Sequence, residues 1–402
     1  MRATRTILML SLVVVCFAAM VFPAAAKDTI TIGYTGPLSG GGAQFGQNLK
    51  WGLEMAAEDV NALGGIAVKG KKHIARVVSM DDQFQTAMTV NNAKRLRHKD
   101  DARFIFNPSS GGIFGLMAIN EKEGFIIGAY TTTHEVVTQG NKAIVRVPPP
   151  MMAYVTAGAD LAMAKGWKRC AMMQDAYDYG KIWSSLFQSY WESKGGEIVS
   201  NTPVDFMRVT DYYPLLTKAV SAKPDVILLG SSSIPDAMQI QQARELGYKG
   251  GFLIIERGKI EEMEEHLGTL APLNDCIGTA PASLYPGDPI KDLGERFQKK
   301  YGEDKVFTHE TALAYAGALA YLAAIQVAQN TEEVPEIMAA MLNDEKMASI
   351  DWYTKLAPYG VNGIYPNGAI KGDFWETIIE DGKYRMINVK VPDEYYLKSF
   401  LK

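Results

Sequence analysis

Cysteine is scarce in this chain, with only three among 402 residues. Cys16 lies in an apolar N-terminal run, whereas Cys170 and Cys276 each begin a later apolar run, "CAMMQ" and "CIGTA". If these two runs are the first and last strands of one sheet, their thiols are too far apart to form a disulfide. We therefore expect two buried free thiols, although an oxidising compartment would permit a disulfide.

Histidine is also scarce, and its spacing excludes the common metal motifs. Each of the five is expected at the surface or at a helix cap: His73, His98, His134, His266 and His309. The carboxylates of Glu261–Glu265 are expected on a solvated helix. No nucleophile, base and orienting group assemble, so the sequence indicates no enzyme, cofactor or metal. An exported hydrolase is an alternative without a catalytic set to support it.

An excess of positive charge is lacking as well. The formal net charge is −4 at pH 7, and residues 1–26 contain two arginines and no acidic residue. Without those residues the net charge is −4 − 2 = −6. This balance argues against nucleic acid or an anionic lipid surface as a partner.

Long apolar runs are few. Residues 7–22 form one, preceded by Arg2 and Arg5 and followed by Ala24-Ala25-Ala26. This pattern indicates a secretory signal peptide at residues 1–26, with cleavage before Lys27 and export of the mature chain. An uncleaved membrane anchor is the alternative. The second run, Ala312–Ile325, is too short to span a membrane and predicts a buried helix.

The rest of the chain alternates short apolar strands with amphipathic helices, which predicts α/β layers around mainly parallel sheets. Proline-bearing breaks at Val147–Met152 and Pro281–Pro289 interrupt the alternation. About 375 residues are more than one core usually organises, so we expect two domains. Residues 369–389 alternate at period two around Asp381-Gly382, which predicts a hairpin.

A glycine-rich loop follows the first predicted strand in "TIGYTGPLSGGGAQFGQN", residues 31–48. A P-loop needs Lys and Ser or Thr after its last glycine, but Gln47-Asn48 follow Gly46, so a nucleotide is not expected. Later loops, "NPSSGG" and "YTTTHE", offer short hydroxyls at the same sheet edge. Together these loops favour a neutral site for a small carboxylate. Ordinary helix N-capping is the alternative for each loop alone.

Three stretches resemble a known family: "TIGYTGPLSGGGAQFGQNLKWGLEMAAEDVNALGGI", "MDDQFQTAMTVNNAKRL" and "DAYDYGKIW". They are similar to the leucine/isoleucine/valine-binding type of periplasmic binding protein, which serves ABC importers, and the resemblance covers residues 28–402. It implies a type I fold of class α/β, with two doubly wound Rossmann-like lobes joined by a three-crossing hinge.

The third crossing would fall near Ala357–Gly363. The N-terminal lobe would then comprise residues 27–148 plus 285–357, and the C-terminal lobe residues 149–284 plus 358–402. The resemblance also implies two partners, a small-molecule ligand and the membrane permease of an ABC importer. We expect a monomer.

Carried over position by position, the resemblance implies a set of ligand contacts. Ser109, Ser110, Thr131 and Thr133 match contacts to the ligand's carboxylate and amino groups, Phe45 and Tyr179 match aromatic contacts, and Glu256 matches the acid that pairs with an α-ammonium. The chain departs from the family at Ser231-Ser232-Ser233, where an aromatic residue is common, so Ser232 enters the expected side-chain pocket. The implied ligand is a branched-chain or other hydrophobic amino acid, or a similar small carboxylate. A binder of aromatic acids or amides and a ligand-sensing subunit are the alternatives.

Glu256 has a physical interpretation that is independent of the family. It follows "FLII" at the carboxyl end of a predicted strand, so it should face a cleft. A carboxylate there is costly unless it meets a cation or water, and a zwitterionic ligand supplies that cation. The alternative is a surface glutamate paired with Arg257.

Overall fold

The computed structural model describes residues 29–360, 363–398 and 400. The predicted signal peptide, residues 1–26, lies outside them. Among the described residues the strands form two sheets of six and seven strands with helices between them, so the predicted α/β class is confirmed.

The helices and strands of the first half of the chain are β1 (Thr29–Gly36), α1 (Ala43–Ala62), β2 (Ile66–Val68), β3 (Lys71–Asp81), α2 (Thr86–Lys99), β4 (Phe104–Asn107), α3 (Ser110–Met117), α4 (Asn120–Glu123), β5 (Ile126–Ala129), α5 (Glu135–Thr138), β6 (Ile144–Arg146), α6 (Met151–Ala164), β7 (Arg169–Gln174), α7 (Asp178–Ser193) and β8 (Glu197–Asn201).

The second half contains α8 (Tyr213–Ser221), β9 (Val226–Gly230), α9 (Ser233–Glu245), β10 (Gly251–Ile254), α10 (Ile260–Leu267), β11 (Cys276–Thr279), α11 (Asp288–Tyr301), α12 (His309–Ala328), α13 (Val334–Met341), α14 (Asp344–Ala348), α15 (Asp351–Leu356), β12 (Phe374–Glu380), β13 (Lys383–Val389) and α16 (Asp393–Leu397).

Each sheet reverses its strand order at one point. The first has the order β2-β3-β1-β4-β5-β6, and the second β13-β12-β11-β10-β9-β7-β8. The central pairs are parallel, whereas β2, β12 and β13 pair antiparallel with their neighbours. The order reverses at β1 and at β7, and loops that follow strands at such a point form a ligand crevice. The glycine-rich loop after β1 therefore lies where a ligand site is expected.

The apolar helix α12 is the core helix of the first lobe. It is the one described helix long and apolar enough to span a membrane, but 72% of its most apolar window is buried inside the protein. Its side chains pack in one cluster with α1, including Leu53, Val60, Leu319 and Ile325. The prediction of a buried helix is confirmed.

Up to the end of β13, the chain crosses between the lobes in three places. It leaves the first lobe between β6 and α6, at residues 147–150, and returns between β11 and α11, where Ile290 and Leu293 join the first-lobe core. Arg146 forms a parallel bridge with Ala369, and its N–H donates to Gly368 O at 2.9 Å. β12 then begins the second sheet's hairpin at Phe374, so the third crossing lies at residues 371–373.

The predicted third crossing near Ala357–Gly363 is therefore too early. Residues after 363 still extend the first sheet at its β6 edge, because their backbone pairs with Arg146. The end of the chain also departs from the predicted C-terminal lobe. Tyr396 in α16 packs in the first-lobe core, whereas Tyr395 packs beside Tyr154 and Phe374 of the second.

The hairpin and the cysteines follow expectation. Asp381 and Gly382 have φ values of 51° and 67° between β12 and β13, as a tight two-residue hairpin turn requires. Cys170 in β7 and Cys276 in β11 are both buried and free. Because β9 and β10 lie between their strands, the thiols are about 14 Å apart at ordinary strand spacing, beyond the reach of a disulfide.

Candidate functional site

A small cavity lies between the two lobes at the carboxyl ends of their strands. It is lined by Phe45, Pro108, Tyr130, Thr131, Thr132, Pro148, Tyr154, Tyr179, Glu256, Arg257, Lys259, Thr279, His309 and Leu313. We call it the cleft cavity. Its volume of about 30 Å³ holds roughly two water molecules. The lobes are therefore closed, and they must separate before an amino acid or an aromatic acid can enter.

Three hydroxyl groups form a compact cluster at the first-lobe side of the cleft. Ser110 Oγ lies 2.8 Å from Thr131 Oγ1 and 2.9 Å from Thr133 Oγ1, and the two threonine hydroxyls are 3.0 Å apart. All three side chains are buried. Hydroxyl protons can rotate toward an incoming anion, so this hydroxyl cluster suits a carboxylate.

Glu256 is buried in the opposite lobe and accepts hydrogen bonds from both lobes. Thr132 Oγ1 donates to its Oε1 at 2.7 Å and Trp183 Nε1 to its Oε2 at 2.9 Å, while the Tyr179 hydroxyl also donates to Oε1. Burial raises the pKa of the Glu256 carboxyl above its usual value, and the hydrogen bond from Thr132 opposes that rise. A cationic ligand group beside it would favour the charged form further.

The alternative interpretation of Glu256 as a surface partner of Arg257 is wrong. Glu256 is only 8% exposed. Arg257 instead forms a salt bridge with the buried Asp175, and its Nε donates to Ser231 O at 3.0 Å. Its guanidinium also stacks 5.0 Å from the ring of Tyr179. Arg257 is thus held within the second lobe.

Charged and polar contacts also join the two lobes directly across the cleft. Lys259 Nζ of the second lobe lies 2.8 Å from Glu310 Oε1 of the first, and Asn48 Nδ2 donates to Glu262 Oε1 at 2.6 Å. Both carboxylates are buried. The expectation of a solvated helix at Glu261–Glu265 is therefore wrong for its first turn. Burial raises the pKa of Glu261 to about 8 and that of Glu262 to about 7.

The glycine-rich loop packs directly against the other lobe. A Cβ on Gly41 would lie 2.4 Å from Phe206 O, and one on Gly46 would lie 1.6 Å from Pro37 O. Ser232 Oγ donates to Gly41 O at 2.8 Å, which places this residue at the lobe contact and not in the lining of the cleft cavity. Gly41 thus permits the backbones of the two lobes to approach closely, whereas Gly46 permits close approach within its own loop.

The structure brings the other predicted site residues to the cleft in different roles. Phe45, Thr131, Tyr179 and Glu256 line the cleft cavity. Ser110 and Ser109 line an adjoining cavity of about 170 Å³, where Ser109 also caps α3 by accepting from Gly112 N at 3.2 Å. Ligand contact by any of them stays a prediction.

Sequence reasoning missed several hydrogen-bonding residues of the site, among them Thr132, Trp183, Lys259, Thr279 and His309, and it also missed the aromatic lining residues Tyr130 and Tyr154. Lys259 and Thr279 had a usable signal, because Thr279 ends β11 and Lys259 follows β10 by a few residues, both at the cleft edge of the sheet. Trp183 had none, since its position on α7 reads as an ordinary apolar stripe.

The expectation of a surface or helix-cap position was wrong for His309, whereas His134, although buried, occupies the N-cap position of α5. His134 and His309 are each only 5% exposed. His309 lies against Tyr285 with a ring separation of 4.4 Å. Burial, assisted by the charge of Lys259, lowers the pKa of His309 to about 3, so its ring is neutral at physiological pH. Among the described residues, no group of three potential ligands is placed to hold a metal ion.

Comparison with known proteins decides the family. The model of the periplasmic binding protein family matches residues 29–368. The chain belongs to this family. The Leu/Ile/Val-binding protein homolog 8 of Brucella melitensis is 26% identical over 409 residues, covering 95% of this chain and 96% of that protein. The predicted relationship to Leu/Ile/Val-binding proteins is confirmed.

Solved structures of periplasmic binding proteins share the fold. A leucine binding protein of Thermotoga maritima has a TM-score of 0.74 at 22% identity, covering 91% of this chain and 99% of that one. A solute binding protein of an R. palustris ABC transporter, in complex with 4-hydroxybenzoate, has a TM-score of 0.75 at 21% identity, with 92% and 100% coverage. The type I fold is confirmed, as is the prediction of a solute-binding protein, not an enzyme.

Proposed function

We propose that this periplasmic binding protein is exported through a signal peptide cleaved before Lys27 and acts as a monomer. It captures a small carboxylate in the cleft and delivers it to the membrane permease of an ABC importer. Support comes from the N-terminal pattern of Arg2, Arg5 and the alanine triplet, and from the family match. The predicted lobe boundaries are revised so that the third crossing lies at residues 371–373.

The ligand that the geometry supports best is an amino acid. The observation that carries this proposal is Glu256, a buried carboxylate that lines the cleft cavity and forms no salt bridge with a basic side chain in the part of the chain that the structure describes. The hydroxyl cluster would hold the ligand's carboxylate, and Glu256 would face its α-ammonium. Such an arrangement donates hydrogen bonds to the anionic end of a zwitterion and gives its cationic end a counter-charge. The Brucella relatives and the Thermotoga protein carry names that refer to amino acids of this kind.

An aromatic acid is the second candidate, because the cleft cavity is rich in aromatic rings. Phe45 lies 6.0 Å from Tyr130, measured between ring centroids, and Tyr154 and Tyr179 line the same cavity. Aromatic ligands favour stacked and edge contacts of this type. The R. palustris structure with 4-hydroxybenzoate shows that this fold accommodates such a ligand.

The decisive experiment is a binding screen of the chain that begins at Lys27. Thermal unfolding is measured with individual amino acids, benzoates and short amides, since a ligand that binds only the folded state raises the midpoint. Calorimetry then gives the affinity of each positive. A response to amino acids supports the first candidate, and a response restricted to benzoates supports the second. No response from any carboxylate would overturn the proposal. Mass spectrometry of the exported protein checks the cleavage site.

A further inference from the structure

Two uncharged polar groups in the lining of the cleft cavity have no hydrogen-bond partner among the described residues. They are Thr279 Oγ1 and His309 Nε2. Both side chains are buried, with exposures of 4% and 5%. Buried polar atoms in native proteins are nearly always paired, so an unpaired one that faces a cavity indicates a missing ligand group or water.

Charged side chains surround these two groups. Thr279 pairs in register with Glu376 of β12, so their side chains share one face of the sheet. Glu376 Oε2 and Glu310 Oε2 also lack hydrogen-bond partners, and both residues are buried. Lys259 Nζ, which lines the cavity, lies 2.8 Å from Glu310 Oε1. We call these five residues the hinge-side cluster, since Thr279 ends the strand before the second crossing.

The charges of the hinge-side cluster limit what could bind there. Burial raises the pKa of the Glu376 carboxyl well above its usual value, which favours its neutral form, and the charges of Lys259 and Glu310 offset each other. A second ammonium on the ligand would therefore meet Lys259, and a second carboxylate would meet Glu310, with no free counter-charge for either within the cluster. A neutral group that both donates and accepts can satisfy Lys259 as a donor and the carboxylate oxygens as acceptors. The neutral ring of His309 and the Thr279 hydroxyl can each take either role.

We propose that the hinge-side cluster is a subsite for an uncharged hydrogen-bonding group, a hydroxyl or a carboxamide, at the far end of the ligand from its carboxylate. This inference rests on the proposed function of the cleft. It assigns specificity to Thr279 and His309. It also separates this protein from a simple binder of leucine, isoleucine or valine, because an aliphatic end would leave both groups unpaired in a dry cavity.

Matched ligand pairs test the inference by calorimetry. Asparagine and leucine have similar side-chain shapes, as do 4-hydroxybenzoate and 4-methylbenzoate, and each pair differs in the polar end. We expect the polar member of the pair that binds to bind at least tenfold more tightly, since a site built to hydrogen-bond rejects an analogue without the group. Asparagine represents the carboxamide source and 4-hydroxybenzoate the hydroxyl source.

Two variants then test which residues cause the preference for the polar ligand. Thr279→Val and His309→Phe should each bring the affinity ratio of the pair toward one, mainly by weakening the polar ligand. Thr202→Val is the matched control, because Thr202 is also buried with an unpartnered Oγ1 but does not line the cleft cavity. It should leave the ratio unchanged, whatever it does to the melting temperature.

The outcomes separate this inference from the function itself. Equal or tighter binding of leucine or 4-methylbenzoate would show that water satisfies the two groups, and the subsite would be refuted while the binding function stands. A preserved polar preference in both variants would likewise refute the assignment to Thr279 and His309. If neither pair binds and the wider carboxylate screen is also negative, the function fails before the subsite is at issue.

Discussion

The sharpest test of the amino acid proposal is the substitution Glu256→Gln, which keeps the shape of the side chain and removes its charge. Glu256 accepts from Thr132, Tyr179 and Trp183. Of these donors, only the Trp183 indole cannot also accept. The glutamine oxygen can therefore face Trp183 while the two hydrogens of its amide are donated to the Thr132 and Tyr179 hydroxyls. All three contacts have a replacement.

The cost to folding should accordingly be small. Neutral hydrogen bonds replace all three charge-assisted ones, a loss of about 1 kcal/mol for each, and this loss is opposed because the variant no longer buries a carboxylate whose pKa is raised by burial. We expect the melting temperature of the ligand-free protein to change by only a few degrees, since about 1 kcal/mol shifts the midpoint by ~2–4 °C in proteins above 150 residues.

The effect on amino acid affinity should be much larger. Removing one partner of a desolvated charge pair costs about 2–5 kcal/mol, partly because the ammonium is left unpaired. This range corresponds to a loss of roughly 30-fold or more. A deaminated analogue with the same side chain never used the charge, so its affinity should change little. Calorimetry of both ligands with the unsubstituted protein and with Glu256→Gln gives the four affinities that this comparison needs.

Two results would refute this reasoning. Equal losses for the amino acid and its deaminated analogue would mean that Glu256 supports the closed cleft through Thr132, not the ligand's ammonium. No loss for either ligand would move the ligand toward the aromatic acids of the second candidate. Arg257 is paired with Asp175 and is not the salt-bridge partner of Glu256. Its charge and that of Lys259 still oppose the rise that burial causes in the pKa of Glu256, so both ligands must be measured.

Three further measurements follow from the same geometry. Ser110→Ala should weaken ligand binding about tenfold without unfolding the protein, because it removes one charge-assisted hydrogen bond of about 1.5–3 kcal/mol. Unchanged affinity by calorimetry would mean that the Ser110 hydroxyl has only a structural role. Small-angle scattering should show a more compact particle with saturating ligand, and identical profiles would contradict closure. Burial raises the pKa of Glu262 to about 7 in the closed form, so protonation of this carboxyl stabilises the closed form below pH 7, and this stabilisation is lost as the pH rises through 7. Ligand affinity should therefore increase from pH 8 to pH 6, and this increase should be smaller in Glu262→Gln.

Much of the fold follows from local patterns in the sequence. Strand periodicity, the Ala-rich helix α12 and the Asp381-Gly382 turn each specify their own structure within a few residues. The third crossing does not, because its position depends on backbone pairing between Arg146 and Ala369, which are 223 positions apart by subtraction of their numbers. Such pairing leaves no periodic signal in either segment.

The site residues also differ in whether the local sequence specifies their position. Glu256 could be placed in the cleft because a polar residue directly after a buried strand lies at a known edge of the sheet. Glu262 and His309 could not, because a polar face looks the same in the sequence whether it meets water or the polar surface of a second lobe. Lys259, Asn48 and the unpaired groups of Thr279 and His309 acquire their roles only when the lobes close. Closure replaces water with fixed partners, and the groups left unpaired by that replacement are the ones through which this cleft can distinguish one carboxylate from another.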